Sequence, residues 1–71
     1  MGKHIGSQYR ETVEEAGVVV VSGPNARKEI IIQDKQTSRY ELWVENDHYA
    51  GAVIEYGGKG YEFVSSYQIN P

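Results

Sequence analysis

Tyr61 and Phe63 stand two residues apart in Lys59–Ser66, KGYEFVSS, and on an extended strand that spacing puts both rings on one face. Two rings so placed make a surface on which unpaired bases stack or into which a partner protein packs. Arg39 and Lys59 are cations that would hold a phosphate backbone beside them. Other residue types that suggest chemistry lack its spacing. Asp47 and His48 are neighbours, so on a strand they point to opposite faces and do not form a base with its orienter. His4 stands alone, and a chain with two histidines and no cysteine has no set of ligands for a transition metal. Gly57–Gly60, GGKG, has the composition of a phosphate loop without its spacing or a following helix, and reads as a hairpin turn. These residues yield no catalytic group, cofactor site or metal site, and an enzyme is not expected.

Lys59, Gly60, Tyr61, Phe63 and Val64 match the signature Lys/Arg-Gly-Phe/Tyr-Gly/Ala-Phe-Val-x-Phe/Tyr. The octapeptide resembles that of RNA-recognition-motif domains, and the expected strand number resembles that of cold-shock domains. The resemblance implies single-stranded nucleic-acid binding through Lys59, Tyr61 and Phe63, to which Arg39 would add a basic neighbour. It covers the octapeptide alone, where Glu62 replaces the small residue and Ser66 the final aromatic. A net charge of -3 runs against phosphate binding, which depends on lysine and arginine. Nucleic acid is therefore the alternative partner, and no family is assigned to the whole chain.

A chain of 71 residues has room for one core, so a single domain is expected over residues 1–71. With 39% hydrophobic and 24% charged residues it carries enough apolar material to fold. A core of this size supplies about 3–5 kcal/mol, and small domains commonly add a disulfide, a metal or a second subunit. The absence of cysteine leaves the second subunit. No apolar run approaches the length that crosses a bilayer, and Met1–Ser7 lacks the apolar stretch of a signal peptide, so a cytoplasmic protein without membrane contact is expected.

The elements that must position the aromatics follow from periodicity and turn formers. Residues 1–6 read as frayed. Ser7 as N-cap, the acidic Glu11 and Glu14, and Gly17 as stop predict a helix within 7–17, with Tyr9, Val13 and Ala16 inward. The competing reading is a strand with Tyr9, Glu11 and Val13 on one side. Val18–Ser22, Lys28–Asp34, Arg39–Glu45, His48–Tyr56 and Tyr61–Tyr67 read as five strands over 18–67, with 68–71 a tail. A type II turn at Gly23-Pro24-Asn25-Ala26, and two-residue turns at Lys35-Gln36, Asn46-Asp47 and Gly58-Lys59, predict an antiparallel meander. The fold class is α+β, mainly β: a short N-terminal helix with a strongly twisted sheet or a small SH3/OB-like barrel.

That register gathers Ile31, Tyr40, Leu42, Val44, Tyr49, Val53 and Val64 on one face. Ile30, Ile32, Trp43, Ile54, Tyr56, Tyr61, Phe63 and Tyr67 lie on the other, with Ala50, Ala52, Arg39 and Glu41. Both faces are apolar, and one helix cannot cover two. The expectation is a small non-enzymatic binding protein that contacts another protein, as regulator or inhibitor of a larger partner, or a second copy of itself as a homodimer. Its anchors would be Trp43, Tyr56, Tyr61, Phe63 and Tyr67.

Overall fold

The computed structural model describes residues 9–68. The expected fraying of 1–6, the Ser7 cap and most of the tail lie outside them. The chain forms β1 (Tyr9–Thr12), α1 (Val13–Ala16), β2 (Val18–Ser22), β3 (Glu29–Asp34), β4 (Tyr40–Glu45), β5 (Ala52–Tyr56) and β6 (Lys59–Tyr67). All six strands join one sheet in the order β1-β5-β6-β4-β3-β2, curled into a half-barrel. The mainly-β expectation holds; its five strands, purely antiparallel pairing and meander order are corrected.

The first correction concerns the helix expected within 7–17. Tyr9–Thr12 is instead a strand, paired parallel to β5 with Tyr9 beside Ala52 and Thr12 beside Glu55. The helix is a single turn, and Thr12 caps it. The Glu15 N–H donates to Thr12 Oγ1 at 3.2 Å, and the Thr12 N–H donates to Glu15 Oε1 at 3.0 Å. This reciprocal pair satisfies two N–H groups that a helix start leaves over, which fixes where the strand gives way to the helix. Gly17, at φ 73°, ends the turn and donates its N–H to the Glu14 carbonyl.

The second correction concerns β4 and β5, which are not a hairpin about Asn46-Asp47. β6 lies between them, antiparallel to both. The aromatic residues explain the choice of partner. Against β6, Trp43 meets Phe63 edge to face at 5.7 Å and Tyr40 stacks on Tyr67 at 6.0 Å. Against β5 the same strand would have set Leu42 opposite Gly51, which has no side chain to offer. Aromatic pairs add about 0.5–1.5 kcal/mol each beyond area burial. Residues 46–51 then cross the outer side of β6 to reach β5. Gly60 lets them pass, since a Cβ there would stand 3.2 Å from both Asp47 Oδ1 and Arg10 Nη2.

The β5–β6 turn is Gly57-Gly58, with φ 61° and 81°, rather than Gly58-Lys59. Ile54 therefore faces Tyr61 rather than Phe63. The displacement is two residues, so parity survives, and Ile30, Ile32, Trp43, Ile54, Tyr56 and Tyr61 share the inner face as expected. A bulge at Val64, between the Leu42–Ser65 and Trp43–Phe63 pairs, shifts parity beyond it and carries Tyr67 to the outer face beside Tyr40. A second bulge lies at Val21. The 23–28 connection is also longer than a type II turn. Its positive φ values fall at Gly23 and Lys28, and the Asn25 side chain accepts from the Arg27 and Glu29 N–H groups. Likewise 35–39 replaces the two-residue turn at Lys35-Gln36, with Asp34 Oδ1 accepting from the Gln36 and Thr37 N–H groups.

The core lies on the concave side. Val18, Ile30, Ile32, Ile54 and Tyr61 are buried, and Val13 and Ala16 of α1 pack on them. α1 touches β1, β5 and β2, so it spans the mouth between the two edges of the sheet. The convex side keeps Ile31, Leu42 and Val44 half-exposed, and Val53 and Gly60 are buried there beneath the 46–51 crossing.

Candidate functional site

The anchors expected from the sequence divide into three groups. Tyr61 is 2% exposed, and Tyr56 packs beside it with ring centroids 6.5 Å apart. Neither ring is presented as a platform: β6 carries Tyr61 into the space closed by α1. Tyr67 sits on the outer face against Tyr40. Trp43 and Phe63 remain together on the inner face, and Phe63 is 50% exposed.

The Trp43–Phe63 pair is held by β4 and β6. Trp43 packs its inner edge on the core cluster. Its Nε1–H donates to Glu41 Oε1 at 2.9 Å, which fixes the indole through a carboxylate two residues back on the same face. Arg39 continues that row, and its Nε–H donates to Ser66 Oγ at 3.1 Å. The row that starts at Trp43 thus continues with one anion, Glu41, and then one cation, Arg39. Lys59 lies at the other end of β6, about 20 Å from Ser66 along the strand, and its Nζ stands 3.7 Å from Glu45 Oε2. Among the described residues, the four groups named for nucleic acid do not form one track: Tyr61 is inside, and Arg39 and Lys59 are far apart with carboxylates beside Trp43 and Lys59.

The Asp47-His48 pair has a structural place. The Asp47 carboxylate accepts from the Gly60 N–H and faces Arg10 at 3.5 Å, while Arg10 reaches Glu55 at 3.2 Å. The His48 N–H donates to Asn46 Oδ1 and the residue is exposed. The Asp47 pKa is lowered, chiefly by the Gly60 N–H and then by Arg10 and Lys59. A carboxylate that the fold holds ionised adds stability above its unfolded value of about 3.9, and that part is lost as pH falls through the lower folded value. The urea midpoint should therefore fall on acidification below about pH 4, and Asp47→Asn should lower it at neutral pH while flattening the acid limb.

Tyr61 titrates the other way. Burial pushes its phenol above the usual value, with Glu45 and its neighbours adding to the effect. Because the folded state favours the neutral phenol, this stability is complete below about pH 10 and is lost as pH rises through the higher folded value. Absorbance at 295 nm should show a tyrosine phase displaced to higher pH, and Tyr61→Phe should remove that phase.

Among the described residues no group of three His, Asp or Glu side chains is placed to hold a metal, and no helix is long and apolar enough to cross a membrane. Nor do they enclose a pocket of ligand size. Comparison with protein-family models, with curated proteins and with solved structures finds no match to this chain. Sequence reasoning missed the Glu41 partner of Trp43, although alternation alone puts 41 and 43 on one face. It also missed the Arg10–Asp47–Glu55 group, which only the crossing of 46–51 brings together.

Proposed function

We propose that this chain is a non-enzymatic binding protein that takes a protein partner at the Trp43–Phe63 end of its concave face. The observation that carries the reading is the half-exposed Phe63 ring set against an indole that Glu41 and the core hold still. An aromatic pair already fixed in place loses little freedom on binding and supplies the kind of anchor that dominates protein interfaces. Arg39 and Glu41, following one another along the same row next to Trp43, favour a polar rim of mixed sign over a phosphate backbone.

The test uses the whole chain immobilised beside its Phe63→Ala variant, each challenged with nuclease-treated lysate. A discrete protein retained by the parent and lost from the variant supports the reading, provided near-ultraviolet dichroism shows the variant folded, since losing the Trp43 pairing costs about 0.5–1.5 kcal/mol beyond area burial. Equal retention by both removes Phe63 from the interface and the reading with it. Retained oligonucleotide in an untreated sample, weakening steeply with salt, would favour single-stranded nucleic acid instead.

A further inference from the structure

We propose that the β2 edge pairs antiparallel with the β2 edge of a second copy of this chain, about a two-fold axis through Val19. The direction of the backbone groups carries the argument. The Asp34 N–H donates to the Arg39 carbonyl, toward β4, and the Lys35 N–H turns back to the Gly17 carbonyl at 3.0 Å. A trans peptide points its C=O and N–H in opposite directions, so with Gly17 C=O aimed at β3 the Val18 N–H is aimed away. Alternation along the antiparallel pair, in which Val18 opposes Asp34 and Val20 opposes Ile32, does the rest. Val19 bonds inward to β3, and the N–H and C=O of Val18 and Val20 face outward.

The other edge of the sheet does not offer this. On β1 the Tyr9 N–H bonds to the Gly51 carbonyl, so Arg10 and Thr12 point outward. The Thr12 N–H is taken by Glu15, and the Arg10 guanidinium lies beside it in ion pairs with Asp47 and Glu55. Charges and side-chain caps are how a sheet edge is kept from pairing. β2 reads VVVVS, without a charge, and Val19 and Val21 are 43% and 47% exposed.

A second copy fits the length and chemistry of this edge. The bulge at Val21 closes the free ladder on one side and Gly17 on the other, which leaves Val18–Val20. A two-fold axis through Val19 sets Val18 against Val20 of the other copy, twice. The four outward groups of each copy then meet four of the other, and Val19 meets Val19 on the convex side. β-branched cross-strand pairs are favourable, and no like charges oppose each other. Three residues a side bury less than the roughly 1,200 Å² of a stable interface, so the dimer dissociates in about the micromolar to millimolar range. The edge is separate from the Trp43–Phe63 pair, so Phe63→Ala leaves the association unchanged.

Sedimentation equilibrium of the whole chain from about 10 μM to 1 mM should show reversible dimerisation, kept in Val19→Thr and lost in Val19→Lys, which sets two ammonium groups face to face. Amide exchange provides the second readout and does not depend on the variant folding. Val19 should be protected at every concentration, and Val18 and Val20 only where the dimer is populated. A monomer at the highest concentration, or a dimer that leaves Val18 and Val20 unprotected, overturns the proposal.

Discussion

Ile32→Ala leaves the protein largely unfolded in water at 25 °C. Ile32 has no exposed surface, lies between Val20 and Glu41 in the ladder, and belongs to the cluster that α1 closes. Cutting a buried isoleucine to alanine costs about 2–5 kcal/mol, because the surroundings relax only partly around the lost atoms. A core of this size supplies about 3–5 kcal/mol in all. The loss is therefore comparable with the whole stability, and a urea titration followed by near-ultraviolet dichroism should show no native baseline. Val21→Ala, at an exposed bulge, should move the midpoint by no more than about 0.5 kcal/mol. An Ile32→Ala variant with an unchanged midpoint would mean that the core is built elsewhere.

Gly23→Ala should be nearly as damaging, for a reason unrelated to burial. Gly23 adopts φ 97°, and a Cβ there would run into the Glu29 carbonyl oxygen and stand 3.0 Å from Ile30 Cα. Both obstacles are backbone, and Ile30 is fixed by its pairing with Trp43. Strain of this kind has to shift the start of β3, and a loss of about 3 kcal/mol or more is expected from backbone conflict added to an unfavourable φ. Gly17→Ala separates the two contributions. Gly17 is also left-handed, at φ 73°, but a Cβ there meets nothing within 4 Å, so only the conformational penalty of about 1–2 kcal/mol remains. Urea midpoints in the order parent, Gly17→Ala, Gly23→Ala are the expected result; equal midpoints for the two variants would mean that the connection after β2 yields freely.

The inner face was legible because alternation is local. Ile30, Ile32, Trp43, Ile54, Tyr56 and Tyr61 come together under any register that keeps parity, and the true β5–β6 register differs from the expected one by two residues. Bulges are not local in that sense: nothing in the string VSS announces that Val64 is passed over, so Tyr67 was assigned to the wrong face. The order of strands was illegible for another reason. A short connection predicts a hairpin, and the partner that overrides it is the distant β6, with its two aromatic pairings. One clue was present, since the expected hairpin set Glu55 against Glu62, a like-charge pair that the actual register removes by placing Gly60 and Val44 opposite them. The cap was readable too: Thr12-Val13-Glu14-Glu15 has the spacing of a capping box. Of the site, the sequence placed Trp43 and Phe63 on one face but did not tell the buried Tyr61 from the open Phe63. That distinction depends on which strand lies opposite: Tyr61 is paired with Ile54 of β5 as well as with β4, whereas Phe63 is paired with β4 alone.

The position of β6 bears on how the fold is reached. β2, β3 and β4 can form a local antiparallel unit, while β1, α1 and β5 have nothing to join them to it within the sheet until β6 arrives between β4 and β5. The central strand follows all the others in chain order, so the nucleus must close a long loop before its contacts reward it, which slows folding relative to a meander of the same length. An altered residue in β6 then acts on assembly of the whole sheet, whereas an exposed one in β1 acts on an edge strand whose pairing the rest of the sheet does not share.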